Sequence, residues 1–300
     1  MNIKKMTHLT CTIAFSALIM NLCAQPFGYP YDPYVDANRP EHSPYPQPQG
    51  IDPDQGFPQR SPPPANPRNY NAPLKLKSQP SYNNLKANSQ NPDAEESLEY
   101  NQEKIDQILN FWFGPLSSPD SFPVHKIPLW EGTEEGNREL KAKFYQDYLN
   151  AARGQYTVWR QTPRGLLALI ILLDIFPRHF FPNQAKMFAT DPMALGLAKE
   201  GIQQGEDLKL LPIERVFFYM PFQQSEDRQT QELAIQLYQK LMQQSPEQIK
   251  PMMQEFLKLA TKHKQTIERF NRFPHRNKIL ERQSTPEEIQ YLSQEFSLRY

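Results

Sequence analysis

The stretch that most constrains the fold is TPRGLLALIILLDIF, at residues 162–176. Thr162 is a favourable helix N-cap, and Pro163 suits the first helical position, where a backbone N–H would have no partner. Every residue from Leu166 to Leu173 is apolar, so the predicted helix has no face for water. Such a helix has to be surrounded by other helices. It is too short to span a bilayer, which takes about 20 apolar residues.

The C-terminal end of this helix carries a charge that needs a partner. Asp174 lies where the helix dipole is unfavourable for a carboxylate. Arg178 follows four residues later and is the predicted ion-pair partner. Pro177 is expected to end the helix after Phe176, because the residue before a proline disfavours helical backbone.

Helical spacing of apolar residues recurs along the rest of residues 98–300, and no segment has the alternation of a strand. Gly154 suits a helix C-terminus, Ser225 is a candidate N-cap, and Thr285 with Glu288 fits a capping box. The sequence therefore predicts an all-α domain of about seven or eight helices, arranged as antiparallel pairs around the short buried central helix.

The first 24 residues resemble a secretory signal. Lys4 and Lys5 precede an apolar segment, which ends at a small-residue cleavage site before Gln25. The predicted localisation is secreted or periplasmic, and the alternative is an uncleaved inner-membrane anchor. The chain's two cysteines, Cys11 and Cys23, lie in this segment, so cleavage would leave no thiol for a disulfide or a zinc site.

Residues 25–97 differ in composition from both neighbouring regions. Pro, Tyr, Asn, Gln and Ser dominate, as in SPYPQPQG and SPPPANPRNYNAP. Such a stretch cannot bury enough apolar surface to offset the entropy of ordering it. It is predicted to be a disordered tether, partly in polyproline II conformation, which acts either as a spacer or as a docking segment.

Several function classes are disfavoured by composition and motifs. The formal net charge is +0, which argues against nucleic acid as a partner and against acidic membranes. The chain has no Gly-rich phosphate loop, HExxH, GxSxG or CxxC motif. We therefore expect no cofactor and no metal, and membrane contact only through the N-terminal segment if it is uncleaved.

Three polar stretches beside apolar runs carry the candidate functional residues: LDIFPRHFF, MPFQQSEDRQTQE and RFNRFPHRNKILER. Each also has a structural explanation as a helix cap or an ion pair. Because a buried carboxylate without a partner costs several kcal/mol, these groups are expected to neutralise one another. His263, on an apolar helix face, is expected to be a hydrogen-bonded core histidine. The predicted binding site consists of Asp174, Arg178, Glu226, Arg272, His275 and Arg276.

The same stretches resemble a known family. From about residue 107 to residue 292, ILNFWFG, LLDIFPR, MFATDPMAL, FFYMPFQQSED, FNRFPHRN and STPEE are similar to the DUF924 proteins, a bacterial family of unknown function. The resemblance implies an all-α, tetratricopeptide-like fold, and it brings no established reaction, cofactor or substrate. The chain departs from the family pattern at Ile175, His179, Gln224 and Asn271, where members usually carry Gln, Asn, His and Gly.

We expect a non-enzymatic binding module whose polar groove takes a small anionic ligand or a partner protein or peptide, with Arg178 and Arg276 holding the anion. One alternative is a hydrolase-like enzyme in which Glu226 or His275 is the base and the two arginines stabilise negative charge. Another is a secreted effector. Space beside an exposed base would favour the enzyme, whereas mutual pairing of these groups would favour the binding module.

Overall fold

The computed structural model describes the backbone of residues 92–297. Within this range all regular structure is helical and no strand occurs, which confirms the all-α prediction. The predicted signal peptide at 1–24 and most of the predicted tether at 25–97 lie outside the described residues. No helix in the described range is both long and apolar enough to cross a membrane.

Eleven α-helices make up the described part of the chain, and the first begins before the predicted domain boundary near residue 98. They are α1 (Pro92–Phe113), α2 (Ile127–Trp130), α3 (Glu134–Ala152), α4 (Pro163–Ile170), α5 (Phe176–Phe180), α6 (Asp191–Gln203), α7 (Pro212–Phe218), α8 (Met220–Gln223), α9 (Arg228–Gln244), α10 (Lys250–Phe270) and α11 (Pro286–Ser297). Short 3-10 turns connect several of them, at Val124–Lys126, Thr157–Gln161, Ala185–Phe188, Asp207–Lys209 and Pro274–Arg276.

Most of the predicted helix termini are confirmed. The Thr162 hydroxyl accepts from the Gly165 N–H at 3.1 Å and opens α4. Thr285 and Glu288 form the reciprocal contacts of a capping box at the start of α11. The Ser225 prediction is wrong, because α9 begins later. Its N-cap is Asp227, whose carboxylate accepts from the Thr230 N–H at 2.8 Å and so uses the stronger charged acceptor.

The central helix α4 is buried on every side, as its sequence predicted. Residues 165–170 are all buried, and α1, α6 and α7 pack around them. Beyond its C-terminal end, the ring of Trp112 lies 5.6 Å from that of Phe176 and 5.7 Å from that of Phe217. Each fully buried large apolar side chain contributes about 1.5–3 kcal/mol, so this layer supplies a large share of the stability.

The helical path does not end before Pro177, which corrects the prediction. A π-helical turn, Ile171–Ile175, joins α4 to α5, and the Phe176 N–H donates to the Ile171 carbonyl five residues back. Pro177 has no N–H for the Leu173 carbonyl four residues back. That carbonyl instead accepts from the Thr190 hydroxyl at 2.6 Å. The wider turn and this hydroxyl together allow the helix to pass through the proline.

Helices α9 and α10 form an antiparallel pair. The Arg228 guanidinium at the start of α9 donates to the Glu268 carbonyl near the end of α10, at 2.8 Å. Helix α10 ends at Asn271, whose φ of 57° lies in the left-handed region. Glycine adopts this conformation most readily and asparagine tolerates it, so Asn271 suits this helix end.

Gly165→Ala tests the close approach that begins α4. A Cβ at this position would lie 2.1 Å from the Trp159 carbonyl oxygen and 2.8 Å from the Thr162 hydroxyl. Because these atoms belong to the backbone and the helix cap, the substitution should destabilise the fold by about 2 kcal/mol or more. Denaturant unfolding measures the loss.

Gly196→Ala is the matched control on α6. A Cβ there meets no atom of the described residues within 4 Å, and alanine favours a helix over glycine by about 1 kcal/mol. The control should be neutral or stabilising. Equal losses in the two variants would contradict the steric explanation.

Candidate functional site

The structure divides five of the six predicted site residues, all but His275, between two polar clusters. The first, which we call the two-arginine cluster, is made of Asp174, Arg178, Asp191, Gln224 and Arg276. The second, which we call the C-terminal clamp, is made of Glu226, Arg272, Arg282 and Glu288. The residues of the predicted single groove therefore belong to two clusters. One is rich in arginine, and in the other each carboxylate is paired with its own arginine.

Asp174 is the most deeply buried member of the two-arginine cluster, with no exposed surface. It lies on the π-helical turn, and its Oδ1 is 3.3 Å from Arg178 Nη1, so the predicted ion pair is present. Neither carboxylate oxygen accepts a hydrogen bond from any described residue. Burial raises the pKa of Asp174 to about 7, with Arg178 and Arg276 lowering it and Asp191 raising it.

Arg178 is held mainly by a different carboxylate. Its Nη1 and Nη2 donate to the two Asp191 oxygens at 2.9 Å each, a bidentate pair. Nη1 also donates to the main-chain carbonyl of Asp174, which the π-helical turn leaves accessible to a side chain. Asp191 is the first residue of α6, where the helix dipole favours a negative charge.

Arg276 is satisfied less completely than Arg178. Its Nη2 donates to Gln224 Oε1 at 2.8 Å. Its Nη1 is 3.9 Å from Asp191 Oδ2, too long for a hydrogen bond, and its buried Nε has no hydrogen-bond partner among the described residues. Burial lowers the pKa of Arg276 to about 10, and Asp191 opposes this shift. The guanidinium therefore stays charged at neutral pH.

The guanidinium groups of Arg178 and Arg276 both lie over the ring of Phe188. The central carbon of Arg276 lies 4.6 Å from the Phe188 ring centroid, and that of Arg178 lies 5.6 Å from it. A second ring, Phe273, is 4.5 Å from Arg276. Cation–π contacts of this kind favour desolvated guanidinium groups. Two like charges are thus held near each other by one carboxylate and two ring faces.

In the C-terminal clamp, both carboxylate oxygens of Glu226 accept hydrogen bonds. Arg282 donates to both of its oxygens, at 2.7 and 3.0 Å, and the Phe273 N–H donates to Oε1 at 2.7 Å. Burial raises its pKa, but the hydrogen bonds from Arg282 and Phe273 outweigh burial and hold the pKa below its ordinary value. Glu226 is therefore a fixed anion at neutral pH.

Arg272 lies in the clamp and not beside Asp174. Its Nε and Nη2 donate to the Glu288 carboxylate at 2.6 and 2.7 Å. The hydrogen bond from Arg272 is the main cause that lowers the pKa of Glu288 to about 2. Among the predicted residues, Arg272 and Glu226 are therefore not paired with each other: Glu288 is the partner of Arg272, and Arg282 is the partner of Glu226.

The two histidines of interest have different surroundings. His263 Nδ1 is 2.9 Å from the Gln223 carbonyl oxygen, and burial lowers its pKa to about 4, as for a neutral core histidine. His275 is half-buried, with its ring 5.4 Å from that of Phe273. In the range 101–294, no group of three His, Cys, Asp or Glu side chains is placed to hold a metal ion.

Sequence reasoning missed three members of this region. Asp191 was not among the predicted site residues, because its pairing with Arg178 depends on the fold. Phe188 gave no signal, because a single aromatic residue in a connecting turn is common. Gln224 had one available signal, since the resemblance to the DUF924 proteins implies a His at this position, and its side chain here binds Arg276.

Asp174→Asn tests the buried charge. Between about pH 4 and 7 the folded Asp174 binds a proton that the unfolded chain has released, so the carboxyl group destabilises the fold increasingly as pH rises through this window. The variant has no such charge, and Arg178 keeps Asp191 as its partner. From about pH 5 to 8, the stability of the wild type should fall relative to the variant by roughly 2–4 kcal/mol. Denaturant unfolding at both pH values measures this difference, and a constant difference would contradict the assignment.

Comparison with known proteins agrees with the resemblance noted in the sequence. Residues 108–295 match the family described as "Bacterial protein of unknown function (DUF924)". A solved structure, that of the protein of unknown function ATU0120 from Agrobacterium tumefaciens, is similar with 35% sequence identity and a TM-score of 0.55. The similarity covers 64% of this chain and 98% of that one. No curated protein matches. The chain belongs to the DUF924 family.

Proposed function

We propose that the helical domain is a binding module that holds the anionic group of a small ligand or partner peptide at the two-arginine cluster. The observation that carries this proposal is the incomplete pairing of Arg276. Its guanidinium is charged and buried, yet only Nη2 has a hydrogen bond to the described residues. An arginine that is taken out of water normally has most of its donors satisfied.

The geometry of the arginines suits a carboxylate or a phosphate. Guanidinium groups present planar pairs of N–H donors that match the oxygens of these anions. The two Asp191 oxygens already accept from Nη1 and Nη2 of Arg178. Asp191 Oδ2 lies 3.9 Å from Arg276 Nη1, which is too far for a hydrogen bond. An oxygen of a bound anion would supply the contact that Asp191 does not reach.

The cluster reaches the protein surface at its Asp191 side. The Asp191 side chain is 19% exposed, whereas those of Arg178 and Arg276 are 9% and 7% exposed. A ligand would therefore approach past Asp191 and place only its charged group against the arginines. This arrangement favours recognition of a terminal or side-chain anionic group over enclosure of a whole molecule.

The hydrolase-like alternative has less support. A general base near neutral pH needs a pKa near that pH and room for the proton it removes. Glu226 has a lowered pKa, and three N–H groups already donate to its oxygens. These contacts weigh against Glu226 as the base of such an enzyme.

Export is a further part of the proposal and depends on the N-terminal sequence. We expect the signal-like segment to be removed after Ala24. Mass spectrometry of the protein recovered from a periplasmic or culture fraction should find an N-terminus at Gln25. A chain that keeps residues 1–24 and sediments with membranes would favour the anchored alternative.

Anion binding is testable by thermal unfolding of the full chain at about pH 6. Sodium acetate and inorganic phosphate are compared with chloride at equal ionic strength. Because a ligand that binds only the folded state stabilises it, the gain should approach about 2.7 kcal/mol at a hundredfold excess over the dissociation constant. Arg276→Gln should abolish the gain, and Arg276→Lys should retain part of it.

Arg269→Gln is the matched control. Arg269 is a surface arginine paired with Glu287 at 2.8 Å, away from the two-arginine cluster. This variant should keep the full stabilisation by acetate or phosphate. Equal stabilisation of the wild type and Arg276→Gln would contradict the proposed site, as would no stabilisation of the wild type.

A further inference from the structure

We infer that an anion bound at the two-arginine cluster is taken up together with one proton, which is held by the Asp174 carboxyl group, and that the preferred ligand is therefore a singly charged oxyanion such as a carboxylate. This inference rests on the proposed binding function. It adds the charge of the ligand and a linked proton to that function.

The position of Asp174 is the first reason. Its carboxyl group is fully buried, and none of the described residues donates a hydrogen bond to either oxygen. Arg178 Nη1 is near, at 3.3 Å, but the same nitrogen donates to the Asp174 carbonyl and to Asp191. Protonation of Asp174 therefore breaks no hydrogen bond of the carboxylate, whereas protonation of Asp191 would weaken its two hydrogen bonds from Arg178.

The charge of the cluster is the second reason. With both aspartates ionised, two guanidinium groups face two carboxylates, and a bound anion would be an excess negative charge. With Asp174 protonated, the cluster has one net positive charge, which a single anion balances. Charges interact strongly in a buried, poorly solvated site, so the balanced state is favoured. A dianion would leave an excess charge in either case.

The other groups that face the π-helical turn do not compete for this proton. Arg178 comes from α5, Asp191 from α6, and Arg276 from the turn Pro274–Arg276. Tyr148 of α3 lies near Thr190, and burial raises its pKa, so it stays protonated. Arg164 of α4 forms an ion pair with Glu214, with Nη1 2.8 Å from Oε1.

Two buried histidines lie close to the arginines and have to be considered as proton acceptors. Burial, and Arg178 in addition, lower the pKa of His179 to about 3. Burial lowers that of His263 to about 4, and its Nδ1 contacts the Gln223 carbonyl. Both are neutral well above these values. Asp174, with a pKa of about 7, is the group poised to change its proton at neutral pH.

Calorimetric titration of the full chain with sodium acetate tests the proton uptake. Acetate stays ionised from about pH 6 to 8, so it contributes no proton itself. The acetate dissociation constant should rise about tenfold over this range, because a released proton must be regained on binding. At about pH 8, buffers with different ionisation enthalpies should report close to one proton taken up for each acetate.

Asp174→Asn assigns the proton to its residue. In this variant acetate affinity should be independent of pH, and binding should take up no proton. In the wild type at about pH 8, difference infrared spectra should gain the carbonyl band of a protonated carboxylic acid when acetate is added. This measurement does not depend on the folding of the variant. Methanesulfonate, a monoanion, should bind more tightly than sulfate, which has a similar shape and two charges.

The outcomes separate the two proposals. Acetate binding that is independent of pH in the wild type, or a pH dependence that survives in Asp174→Asn, would overturn the proton linkage and leave the binding function intact. Tighter binding of sulfate than of methanesulfonate would overturn the preference for a single charge. No acetate binding at any pH would overturn the proposed function, and the linkage with it.

Discussion

The need to satisfy the buried guanidinium of Arg178 governs how this region is built. A buried charge without partners is strongly destabilising, so the fold has to supply acceptors. Two come from the Asp191 carboxylate at the start of α6, and one is the Asp174 carbonyl on the π-helical turn. The π-helical turn and α6 are therefore joined by one side chain. Asp174 is left as a fully buried carboxyl group with a neighbouring cation but no hydrogen bond from the described residues, and burial raises its pKa although the cation opposes this shift.

Sequence spacing was informative wherever the determining contact was local. The Thr162 cap, the Asp174–Arg178 pair and the capping box at Thr285 each depend on residues within four positions of each other. The passage of the helix through Pro177 could not be predicted in this way. It depends on the Thr190 hydroxyl, which lies seventeen residues after Leu173 and satisfies the Leu173 carbonyl that the proline cannot.

The candidate site was harder to predict because its partners are distant in sequence. Arg276 contacts Gln224 across 52 residues, and Glu226 contacts Arg282 across 56. Composition identified the residue types that meet here, since buried charges must pair, but it could not choose among several arginines and carboxylates. Glu288, which the sequence predicted only as part of a capping box, also binds Arg272.

Thr190 and Asp191 are consecutive residues with separate tasks. The first closes the π-helical turn inside the protein, and the second is the most exposed member of the two-arginine cluster. A ligand that approaches past Asp191 would therefore lie one residue along the chain from the hydroxyl that satisfies the Leu173 carbonyl. The most exposed residue of the cluster and the hydroxyl that lets the helix pass through Pro177 thus belong to one short stretch of chain.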